Sequence, residues 1–185
     1  MKLIIAIVIL LFLPFKSSSP NFCVCSKLDN KNVAEMKKNS DVIVIGKFTQ
    51  RIPVDRYDQE SNLNGYFKID SIIKGPNDLE NLVINQFSTG NCQELFELDK
   101  EYLVLGIHIK GFKALKAQNK SDKSDSEHLQ PPPSNEIHNS IMDCFSSDKR
   151  TLKKWNKIAD RNYVIHTNQC STYKLSGKFA KMFLE

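Results

Sequence analysis

Apolar residues along this chain fall first into one unbroken block and then into short alternating runs. The block is Leu3 to Phe15, thirteen apolar residues preceded by Lys2 and followed by Lys16 and three serines. As a helix it would rise about 20 Å, too little for a hydrocarbon core of ~30 Å. A basic start, a short apolar stretch and small residues predict instead a secretory signal peptide over residues 1–22, with the cut between 19 and 22. The rest of the chain is then expected to be soluble and extracellular.

After a polar stretch from Ser26 to Lys38, in which Val33 to Met36 suits a short helical turn, the period becomes that of strands. Asp41 to Thr49 is rich in β-branched residues. Tyr66 to Ile73 alternates and stops at Lys74-Gly75-Pro76; Leu82 to Ser88 and Glu101 to Ile109 follow, and Ile137 to Met142 reads as a fifth strand leading into Cys144. Polar turns such as Asn64-Gly65 separate them. This spacing predicts a closed or nearly closed antiparallel barrel. Residues 117–135 interrupt it with a polar excursion that ends in three prolines and carries a candidate glycosylation acceptor, Asn119. From Asp148, a suitable N-cap, to Asn162 the period turns helical, with Leu152, Trp155, Ile158 and Ala159 on one side. The expected architecture is mainly β, one domain over 23–170 with one or two packed helices and a short tail at 171–185.

Composition adds little to that picture. With 185 residues, 41% of them hydrophobic and 25% charged, the chain is ordinary for a single globular domain. Removing residues 1–22 takes away Lys2 and Lys16 and no acid, lowering the formal charge from +5 to +3. That balance gives no support for nucleic-acid binding or for membrane insertion. Lys149, Arg150, Lys153, Lys154 and Lys157 gather opposite the apolar side of the late helix. Such a face is ordinarily a solvated one; its functional reading is attraction of sulfated matrix polysaccharide.

Cysteines change the picture more. In an exported protein, Cys23, Cys25, Cys92, Cys144 and Cys170 read as a disulfide framework of two bridges and one leftover thiol. Positions i and i+2 of an extended chain lie about 6.5 Å apart, so Cys23 and Cys25 should each reach a distant partner rather than one another. Fifteen pairings remain open at this level. The four histidines, His108, His128, His138 and His166, form no zinc-protease motif, and no nucleophile elbow or phosphate loop is present. Catalysis is not expected.

Taken together, the apolar leader, Cys23-Val24-Cys25, Asn39 to Phe48, Ile72-Ile73-Lys74-Gly75, Cys92, Tyr102 to Gly106, Cys144 and Cys170 resemble the N-terminal, netrin-like domain of the tissue inhibitors of metalloproteinases. The Cys-x-Cys directly after the leader is the specific element. The resemblance implies a five-stranded barrel of the OB type and bridges Cys23–Cys92 and Cys25–Cys144. The family's third bridge would join Cys170 to a cysteine where this chain has Lys38, which leaves Cys170 unpaired or paired to another chain.

It also implies a mechanism. Once Cys23 is the first residue, its α-amino nitrogen and carbonyl oxygen would chelate the catalytic zinc of an extracellular metalloproteinase, the chain holding no cofactor of its own. Val24 would enter the pocket beside the zinc. Cys25, Ser26 and the bridged segment Gly90-Asn91-Cys92 would complete the wedge. Two other readings compete: a netrin-like module that binds matrix or growth factors through the 149–157 face, and a thiol-disulfide exchange protein using Cys23 and Cys25.

Overall fold

The computed structural model describes residues 23, 25–53, 63–86, 92–114, 137–144 and 149–184, with only the backbone for 143 and 144. Its centre is β1, Val42–Arg51, whose β-branched residues favour extended backbone and bury Val42, Ile43, Val44 and Phe48. On one side β1 pairs antiparallel with β2 (Gly65–Lys74), and β2 with β3 (Asn81–Asn85). On the other it pairs antiparallel with β4 (Glu101–Ile109). A short strand, Val164–His166, closes the ring, lying parallel to β3 and antiparallel to β4. The strand order around the ring is the first, second, third, closing and fourth, a closed five-stranded mixed barrel of the OB type.

Two expectations are corrected here. The barrel is mixed rather than antiparallel, and Ile137 to Met142 does not supply its fifth strand. Those residues form β6 (Ile137–His138) and β7 (Ile141–Cys144), which join β5 (Gly111–Ala114) in a separate three-stranded sheet. The closing strand, β8 in chain order, is buried along its whole length, whereas β7 leaves Ile141 exposed. A parallel strand needs cover on both faces, and Val164-Ile165-His166 has it.

Gly46 marks where β1 bends to close the ring. The ladder to β2 shifts register between Ile45 and Gly46, and a Cβ on Gly46 would sit 2.0 Å from the Lys68 carbonyl oxygen and 2.7 Å from the Phe67 ring. Backbone, not a pliable side chain, fills the space. Gly46→Ala is therefore expected to cost about 2 kcal/mol, as overpacking does, and a urea midpoint equal to wild type would count against this account.

Inside the barrel, Phe96 stacks on Phe48 at 4.9 Å and meets Tyr102 edge-on at 5.0 Å. Outside, α2 (Lys149–Ala159) sets Trp155 against Phe112, Ile109 and Val164. Asn156 fixes its position, accepting from the Phe112 N–H at 2.8 Å and donating to the Phe112 carbonyl at 3.0 Å. The expected N-cap, Asp148, lies outside the described residues.

The opposite wall is covered by two helices. Around Val33 to Met36 the structure has a ten-residue helix, α1 (Asn30–Asn39), with Asp29 as its N-cap. Residues 171–185, expected as a tail, carry β9 (Thr172–Lys174) on β4 and α3 (Lys178–Leu184), which buries Ala180 and Phe183 beside Val33, Leu103 and Leu105. Three helices thus pack on the barrel among the described residues, and none is long and apolar enough to cross a membrane.

At the end of α1, Lys74 Nζ donates to the carbonyls of Lys37 at 2.9 Å and Lys38 at 3.0 Å, and to that of Ser40. A cation there satisfies orphan carbonyls and opposes the negative end of the helix dipole. Because the ammonium is exposed, Lys74→Met should lose only about 1 kcal/mol in urea denaturation; an unchanged midpoint would remove the cap from the account.

Candidate functional site

The two early cysteines are tied to separate points of the body. Cys23 is bonded to Cys92, with Cα atoms 4.8 Å apart. Cys25 is bonded to Cys170, with Cα atoms 5.3 Å apart. The second pair corrects the implied Cys25–Cys144 bridge and the implied free Cys170. The reason is positional: Cys144 ends β7 opposite Ala114, in the separate sheet, whereas Cys170 lies within bridging reach of the N-terminal segment.

Each anchor is rigid for a local reason. Cys170 belongs to a 3-10 helix, Gln169–Ser171, whose N-cap Asn168 accepts from the Cys170 N–H at 2.9 Å and engages Ser171 in a capping box. Thr167 continues the network, donating from Oγ1 to the Leu105 carbonyl at 2.8 Å. The Tyr173 hydroxyl donates to the Cys170 carbonyl, and burial pushes that phenol up to about 12.

Cys92 is held through the residues after it. Gln86, fully buried, donates from Nε2 to the carbonyls of Leu63 at 2.6 Å and Glu94 at 2.8 Å, and accepts from the Glu94 N–H at 2.7 Å. Its own N–H reaches Asn64 Oδ1 at 2.6 Å. Phe96 then plugs the barrel, and the Glu97 N–H donates to the Tyr102 hydroxyl at 2.9 Å. The Glu97 carboxylate pairs with Lys174 of β9, which lowers its pKa through that hydrogen bond. Burial raises the pKa of Glu94 against the pull of Lys174. Beside these anchors Leu95 and Leu98 stay exposed, at 65% and 52%.

Among the described residues the sulfurs of Cys23, Cys92 and Cys170 lie within 4.8 Å of one another, and Cys23 Sγ is 3.5 Å from Cys170 Sγ. All three are spent in disulfides, so the cluster presents neighbouring bridges rather than thiolate ligands. Cys23 and Cys25 do not form a dithiol with each other.

Of the other expected site residues, Ser26 is exposed at the rim of a cavity of about 400 Å³ that also touches Cys25, Met36, His166 and Asn168. Val24, Gly90, Asn91, Asn119 and the excursion at 117–135 lie outside the described residues. The five cations of α2 are all exposed.

Of the polar residues that fix the anchors, sequence reasoning missed Gln86 and Asn168 and read Asn64 only as a turn residue. A signal existed for Gln86: an amide directly after the buried run Leu82 to Asn85 needs partners.

Compared with known proteins, the sequence matches no family model and no curated protein.

Proposed function

We propose that this protein is a secreted, non-catalytic inhibitor of zinc metalloproteinases that acts through the backbone of Cys23. The observation carrying the proposal is the double tether: residues 23 and 25, with one residue between them, are bonded to two separate and internally braced anchors. A terminus held in this way loses little freedom on binding, which is what an inserted wedge requires. In the chain-entropy model the two bridges, closing 69 and 145 positions, would also contribute about 4 and about 5 kcal/mol to stability if each acted alone.

The chemistry follows from the atoms at the tethered end. A catalytic zinc keeps one position for the water that serves as nucleophile. A free α-amine, with a pKa near ~8, is partly neutral at physiological pH and supplies a nitrogen ligand. The Cys23 carbonyl oxygen adjoins it in the same residue, so both donors reach one metal and displace the water. Cys23 sulfur takes no part, being bonded to Cys92. Leu95 and Leu98 offer exposed apolar surface on the segment bridged to Cys23, as a protein interface favours. Cys25 has a different partner from the one the resemblance implied, but the requirement is that it be tied, and Cys170 ties it.

The test is the N-terminal sequence of the secreted protein followed by titration against a zinc metalloproteinase. A chain that starts at Cys23 and inhibits with one-to-one stoichiometry supports the proposal. A chain that retains Pro20-Asn21-Phe22 places its amine three residues away from the donor position and sinks it.

A further inference from the structure

Helix α2 carries its cations against local rules. Lys149 and Arg150 occupy the first turn, where unpaired N–H groups favour anions, and the described first turn itself holds no acidic residue. Arg150, Lys154 and Lys157 follow at intervals of four and three, and Lys153 faces Lys157, so like charges are neighbours along one side. Arg161, in the turn beyond the helix, prolongs the row, and all five side chains are exposed. Among the described residues Lys153, Lys157 and Arg161 have no carboxylate at ion-pair distance, and Lys154 Nζ donates instead to the Pro53 carbonyl at 2.5 Å. Like charges at these spacings repel, so the row weakens the helix it lies on. Departures from local consistency of this kind collect at functional sites.

The row also borders a concavity. With Tyr66 of β2, Ile158 and Asn162, these cations line a groove of about 500 Å³. Tyr66 and Ile158 pack onto the Trp155 cluster, so the wall is fixed. From Arg150 to Lys157 the helix rises roughly 10 Å, so the charges follow a line.

We propose that this groove binds a strand of linear sulfated polysaccharide, with sulfates paired to Lys153, Lys157 and Arg161 and the C–H face of a sugar ring against Tyr66. Single-stranded nucleic acid fits less well, because stacking needs successive aromatic platforms and, among the described residues, the groove has one ring, Tyr66. A membrane surface fits less well too: none of the exposed large apolar residues lies on α2, so nothing there enters the acyl boundary. The groove shares no lining residue with the two bridges and does not depend on the inhibitor reading.

The experiment is calorimetric titration of the full secreted chain with a heparin-derived hexasaccharide across a salt series. Parallel titrations use the same sugar fully desulfated, an oligothymidylate and phosphatidylserine vesicles. Binding of the sulfated sugar alone is expected, with Lys157→Ala/Arg161→Ala weakening it roughly tenfold or more and lowering the salt slope by about 2. Lys157→Arg/Arg161→Lys should retain binding, which separates lost charge from a damaged fold. Lys31→Ala/Lys38→Ala on α1 removes equal charge elsewhere and should change affinity less than twofold. Equal losses in the two alanine pairs, absence of binding, or equally tight capture of oligothymidylate or vesicles would each overturn the assignment.

Discussion

A single alanine added before Cys23 is expected to abolish metalloproteinase inhibition while leaving the fold intact. The extension converts the α-amine into a peptide nitrogen, which is planar, uncharged and a poor metal ligand. It also moves the new amine one residue from the tethered position, about 3.5 Å in extended chain. The disulfides at Cys23 and Cys25 do not move to compensate, because Cys92 and Cys170 are fixed by Gln86, Phe96 and the Asn168 cap. Losing a ligand pair in a desolvated interface costs on the order of 4 kcal/mol, the scale of an unpaired buried polar partner, and so about a thousandfold in Ki. Thermal midpoints of the two forms should agree, since an added exposed residue touches no core contact. If the extended form inhibits within tenfold of the native one, the amine is not the ligand and the mechanism falls.

The second large effect concerns acid. His166 closes the barrel in β8, is 7% exposed, and has no hydrogen-bond partner for Nδ1 among the described residues. Burial lowers its pKa from 6.5 to about 4, opposed by a hydrogen bond to the backbone of Asn85. In the unfolded chain the ring takes its proton near ~6.5, before the folded protein does. Stability is therefore complete above that pH and is lost as pH falls toward 4, where the loss levels off. The full loss is roughly 3 kcal/mol, from a shift of about two and a half pKa units. Glu97, whose carboxyl is held below its ordinary value by Lys174, adds its own loss only at lower pH. Urea unfolding at pH 7.0, 5.5 and 4.5 should show the decline in wild type and a flatter profile in His166→Gln. Parallel profiles for the two proteins would show that another group governs the acid limb.

The elements that were legible in the sequence share one property: they are long enough to repeat a period. Asp41 to Thr49 and Glu101 to Ile109 show extended, β-branched patterning over a full strand, and Leu152, Trp155, Ile158 and Ala159 mark two helical turns. Three-residue β8 repeats nothing, so the apolar alternation of Ile137 to Met142 stood in its place until the fold assigned the closing position to Val164-Ile165-His166. The C-terminal helix was hidden for the same reason. Its seven residues bury only Ala180 and Phe183, and they do so against Leu103 and Leu105, some eighty positions away.

For the candidate site the division falls between residue type and partner. By itself the sequence determined that this is a mainly β chain with a cysteine framework, that Cys23 and Cys25 each reach for a distant partner, and that one helix face is basic. Those are consequences of local spacing, readable without coordinates. Tertiary structure alone decided that Cys25 meets Cys170, that a buried Gln86 braces the Cys92 segment, and that Tyr66 gives the basic face a wall. Each of those contacts joins residues far apart in the chain, and their meeting depends on how the barrel closes rather than on any periodicity a single segment can carry.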